Sequence, residues 1–82
     1  NGGRLMADLR KALDLLAAGD WHGAHAIVQD DHSADAAWIH AHLHRVEGDQ
    51  GNAEYWYRRA GREPSAQSLE AERDKIVAAL GR

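Results

Sequence analysis

The sequence predicts an all-α domain: two antiparallel helical hairpins followed by a C-terminal capping helix, five helices in total. Three observations carry this. Sixteen of the 82 residues are alanine, with no Phe, no Thr and one Pro, and alanine loses least on entering a helix. Apolar residues recur at spacings of three and four along most of the chain. The dipeptide Gly-Asp occurs at Gly19-Asp20 and at Gly48-Asp49, in each case where one apolar stripe ends and another begins.

The first helix is expected from about Arg4 to Ala18, with Leu5, Leu9, Leu13 and Leu16 on one stripe and Asp8, Arg10, Lys11 and Asp14 mostly opposite. Gly19 ends it by entering the left-handed conformation, and Asp20 caps the second helix, which runs to about Gln29. Trp21, Ala24, Val28 and His25 are expected to form its buried stripe, with Ile27 beside it. Asp30 to Ser33 is a polar connector in which Asp31 or Ser33 caps the next helix.

The third helix spans about Ala34 to Glu47. Ile39, Leu43 and Val46 mark one face and Ala34, Ala37, Trp38 and Ala41 another. Together they wrap more than half of the circumference, as expected of a central helix with neighbours on two sides. Gly48 ends it and Asp49 caps the fourth, from about Gln50 to Ala60, whose apolar face is Ala53, Trp56, Tyr57 and Ala60. Gly61 stops that helix. Pro64-Ser65 suits the entry to a fifth, from about Ala66 to Leu80, with Leu69, Ile76, Val77 and Leu80 inward and Glu72 and Arg73 at the edge. The chain 1–82 is thus read as one domain, with a flexible start at 1–3 and a capping helix at 66–80.

The totals narrow the function classes. A domain of this length buries only about 60–65% of the surface its unfolded chain exposes, so a thin core gains from a partner or a second copy. There is no cysteine, hence neither a disulfide nor a thiolate metal site, which fits a reducing, cytoplasmic setting. A net charge of −3 argues against nucleic acid, whose phosphates call for a basic face. No apolar run reaches the roughly 18 residues that span a bilayer. Asn1-Gly2-Gly3 reads as a trimmed start and not a signal peptide.

Superposing the two Gly-Asp corners gives an internal offset of 29 residues. At that offset Leu9 meets Trp38, Ala12 meets Ala41, Ala24 meets Ala53 and Val28 meets Tyr57. Each unit is a helix, a corner and a second helix with a small residue one turn in, which lets the pair cross closely. This pattern resembles the tetratricopeptide repeat over residues 5–61. The period falls short of the usual length of about 34 residues, and Asp31 stands where the first unit would close on alanine. The chain is also similar to a group of small bacterial proteins that share Trp21, Ala24-His25, Ile27 to Asp30, His40-Ala41, Leu43 to Arg45, Glu47 to Asp49 and Tyr55 to Gly61. That group brings no activity with it. The tetratricopeptide resemblance implies a protein-binding scaffold, with the first helix of each pair lining a groove.

On that alignment Leu9, Leu13, Leu16, Trp38, His42 and Arg45 fall on the groove side and form the candidate interaction surface. An apolar groove on so small a domain invites cover: the fifth helix folded back, a second copy in a homodimer, or a peptide helix. Arg58, Arg59 and Arg62 form a candidate basic cluster, either complementing the helix terminus and pairing with Glu54 or Glu63, or reading an acidic partner.

Six histidines in 82 residues are the most unusual feature. His40 and His44 share a face one turn apart, a metal-ligand spacing. His25 on the antiparallel second helix could be a third ligand, and Glu47 or Asp20 a fourth. The competing expectation is a set of neutral core histidines bonded to Tyr57, Gln29 or a carbonyl. No activated nucleophile or phosphate-binding loop is present, so an enzyme could work only through His and carboxylate acid–base chemistry. The expected function is therefore a non-catalytic protein-interaction or self-association module without a cofactor. Metal binding through His25, His40 and His44 is the alternative, and a small acid–base enzyme the second alternative.

Overall fold

A computed structural model describes residues 6–80, and they form five helices with no strand among them. They are α1 (Met6–Ala17), α2 (Trp21–Val28), α3 (Ala34–Val46), α4 (Gln50–Ala60) and α5 (Leu69–Leu80). Leu5 and the expected flexible start at 1–3 lie outside the described residues. Helix α1 packs on α2 and α3 on α4, giving two hairpins; α2 meets α3 between them, and α5 lies across α1 and α3.

The two hairpin corners are copies at atomic detail. Gly19 and Gly48 take φ values of 87° and 85°, a region open to glycine because it has no Cβ. The next amide reaches back to close each helix: Asp20 N–H donates to the Leu15 carbonyl and Asp49 N–H to the His44 carbonyl, both at 2.8 Å. This is the six-to-one bond of a Schellman ending. The same aspartates then cap the following helices, Asp20 Oδ1 accepting from Gly23 N–H and Asp49 Oδ1 from Asn52 N–H. Every partner is displaced by the 29-residue offset. Ala12, Ala24, Ala41 and Ala53 are all fully buried, as close helix crossings require.

Helix α3 is the central element, buried without a break from Ala36 to His44. Ser33, not Asp31, caps it, its Oγ accepting from Ala36 N–H, while Asp31 holds the Ser33 amide. Val46, expected inward, is exposed, at the last position of α3.

Two expectations for α5 are corrected. It starts at Leu69 and not near Ala66, because Ser68 supplies the cap to Ala71 N–H, whereas Ser65 spends its hydroxyl on the Gln67 amide. Its inward stripe is Glu72, Ile76 and Leu80, one per turn, and Leu69 and Val77 are exposed. The helix is rotated so that the Glu72 carboxylate, and not Leu69 or Val77, joins Ile76 and Leu80 inside the protein.

Candidate functional site

Two polar clusters lie inside this otherwise apolar bundle, one on each side of α3.

The first is centred on Glu72, which is 1% exposed. Oε1 accepts from His42 Nδ1 at 2.8 Å and from the Arg45 guanidinium at 2.7 Å. Oε2 accepts from Trp38 Nε1 at 3.1 Å and from the Tyr57 hydroxyl. Two donors on each oxygen occupy about all the lone-pair directions of a carboxylate. Burial by itself would raise the Glu72 pKa. The bonds from His42, Tyr57 and Arg45 outweigh it and hold the carboxyl down at about 2, the outcome expected when several donors favour the charged form. Burial and the same carboxylate push the Tyr57 phenol up. For Arg45 burial opposes the charge, but the bond to Glu72 prevails and raises its pKa. Arg45 also donates to the Gln67 carbonyl, tying down the segment that leads into α5. Arg62 lies over the Trp38 ring, 3.4 Å from its centroid.

The candidate interaction surface is therefore covered from within. Leu9, Leu13, Trp38 and His42 are buried, and Leu16 and Arg45 partly so. Of the three covers considered from sequence, the fold has the fifth helix in the groove. The three arginines of the candidate basic cluster make separate contacts. Arg62 turns to Trp38, Arg59 bonds the Tyr55 hydroxyl and lies over the Trp56 ring, and Arg58 is exposed.

The second cluster consists of His25 of α2 and His40 and His44 of α3. One ring nitrogen from each lies within 4.8 Å of the others. The rings pack closely, with centroids 4.7 Å apart for His25–His40, 5.0 Å for His40–His44 and 5.6 Å for His25–His44. Two tryptophans wall them in: Trp21 stacks on His25 at 4.8 Å and Trp56 on His40 at 3.8 Å. Trp21 is itself anchored to α3, its Nε1 donating to the Leu43 carbonyl at 2.7 Å. His44 Nδ1 is bonded to the Glu47 carboxylate. His40 Nδ1 is buried without a hydrogen-bond partner. Burial, reinforced by His25 and His44, lowers the His40 pKa to about 3. Burial followed by His44 lowers that of His25, with Glu47 opposing.

The trio named from sequence is thus brought together. The proposed fourth ligands are otherwise engaged: Asp20 caps α2, and Glu47 is bonded to His44 Nδ1. Nor do the histidines bond Tyr57 or Gln29 as core residues were expected to, since Tyr57 donates to Glu72. Sequence reasoning put Glu72 at the edge of the fifth helix and not among the site residues, whereas it is fully buried. The available signal was its i, i+4, i+8 relation to Ile76 and Leu80, which puts it on the apolar face of α5. Comparison with family models, curated proteins and solved structures returns no match.

Proposed function

We propose that the chain is a non-catalytic interaction module whose groove reads a carboxylate carried on an amphipathic helix, its own α5 being the resident occupant. One observation carries this reading: the four donors that meet Glu72, three from α3 and one from α4, are all taken up by one carboxylate of α5. A buried charge is tolerated only when it is fully paired. A helix lacking the acid would leave Trp, His, Arg and Tyr donors stranded, and this gives the groove selectivity for an acidic helix. The occupant exchanged for α5 is the same helix of a second copy or a partner helix that presents a glutamate between aliphatic residues.

Analytical ultracentrifugation of the full-length chain tests this, together with binding of a labelled peptide spanning Ser65–Arg82. The Glu72→Ala chain, whose own α5 docks poorly, takes up the wild-type peptide, and the Glu72→Ala peptide binds at least about tenfold more weakly, as loss of a charge-assisted bond requires. Trp38→Phe, which keeps an aromatic ring in the core and removes only the N–H that meets Glu72, weakens uptake of the peptide. A folded Glu72→Ala chain that neither takes up the peptide nor self-associates overturns the reading.

A further inference from the structure

The histidine cluster has no part in that groove, and its chemistry is of another kind. Three imidazoles from two hairpins are packed against one another in a wall of tryptophan. Rings gathered for packing alone would each satisfy their nitrogens with a carbonyl, a hydroxyl or water, since a buried polar atom left unpaired costs about 1–3 kcal/mol. His40 Nδ1, in a side chain 97% buried, has no such partner. His44 shows the complementary feature. Its Nδ1 is held by Glu47, which leaves Nε2 as the nitrogen available for a ligand, and a carboxylate behind the imidazole is the usual support of a metal-bound histidine.

We propose that His25, His40 and His44 form a binding site for a divalent transition metal of the zinc type, in which a metal ion joins the first hairpin to the second. Imidazole nitrogen is a favoured donor for zinc, and three histidines plus one exchangeable position is an established zinc donor set. Nitrogens on one tetrahedral zinc lie roughly 3.3 Å apart, given metal–nitrogen bonds of about 2.0–2.1 Å. The nitrogens already lie within 4.8 Å of one another and have to draw closer around an ion, with His25 the partly exposed member. His25 lies on α2 while His40 and His44 lie on α3, so the ion would brace the junction between the repeats. Asp49, which also approaches His44 and Glu47, is committed to capping α4 and is not needed.

The test uses the full chain without an affinity tag, freed of metal by a chelator and titrated with Zn²⁺ by calorimetry and with Co²⁺ by visible absorption. One equivalent binds, Co²⁺ gives the intense bands of a tetrahedral site, and the thermal midpoint rises. Two variants guard against loss of the fold: His25→Ala, at the partly exposed position, and His40→Phe, which preserves the stack on Trp56. With helical circular dichroism intact, each weakens binding by more than the roughly 10–100-fold that a lost outer hydrogen bond costs. His22→Ala and His32→Ala bind as the wild type does. Folded wild-type protein that takes up no stoichiometric metal overturns the proposal and leaves the cluster a stacked core. Binding that disappears with His22 or His32 and persists without His25 and His40 overturns it equally.

Discussion

The Nδ1 atom of His42 lies 2.8 Å from Oε1 of Glu72. An ionised carboxylate has no proton to give, so the imidazole donates and its tautomer is set from α5, thirty residues away in sequence. The same carboxylate orients Trp38, Arg45 and Tyr57, so one side chain of the last helix organises the polar groups of the two before it.

Removing that carboxylate is therefore costly. Glu72→Ala leaves an arginine and three further donors facing a cavity, and breaking one side of a buried charged network costs about 3–5 kcal/mol. Glu72→Gln keeps the volume and one acceptor oxygen, and is expected to cost about half as much. Urea unfolding of both variants measures this, and a loss below about 1 kcal/mol for Glu72→Ala would show that the network does not hold α5.

Stability of the metal-free protein falls as the solution is acidified. His40, held at about 3 in the folded chain against 6.5 in the unfolded one, stays neutral while the unfolded chain takes up a proton. The stability it supports is thus complete above about pH 6.5 and declines below it, by about 1.4 kcal/mol per pH unit for each such group. His25 acts in the same direction. Glu72 acts in a lower window: its contribution is present above 4.5 and is lost as the pH falls through about 2. Thermal midpoints recorded from pH 7.5 to 5 should therefore drop, with about the slope of one group less in His40→Phe. A flat profile would exclude buried neutral histidines.

The two corners should respond alike to substitution. A Cβ added at Gly19 or Gly48 meets nothing within 4 Å, so only the left-handed backbone is penalised, at about 1–2 kcal/mol for alanine. Asp20→Ala and Asp49→Ala each remove a cap worth about 1 kcal/mol. Matched losses within each pair, measured by chemical denaturation, are the expected result, and a large difference would mean that the repeat is one of sequence and not of energetics.

Glu47 is placed to tune the proposed metal site without belonging to it. Glu47→Ala frees His44 Nδ1 and is expected to weaken Zn²⁺ binding about 10–100-fold while leaving one equivalent bound. Calorimetry beside the wild type decides it, and unchanged affinity would remove Glu47 from this role.

Helix boundaries were largely legible because they depend on neighbours in sequence. The stops at Gly19, Gly48 and Gly61 and the caps at Asp20, Ser33 and Asp49 act over one turn. The start of α5 was misplaced because Ser65 and Ser68 are equally good caps on paper, and only the course of the chain after Pro64 selects the second. The histidine trio was legible for a related reason: His40 and His44 are one turn apart, and a hairpin-built repeat carries α2 to the side of α3.

By itself, then, the sequence determined the five helices, the two matched corners and which residue types could bind what. The tertiary structure alone decided that α5 fills the groove and that Glu72, rather than Leu69 or Val77, enters it beside Ile76 and Leu80. The reason is range. Helix stops and caps are local and additive, whereas the partners of Glu72 lie 15 to 34 residues away. A buried carboxylate becomes favourable only when all four donors arrive together, a condition no local pattern encodes.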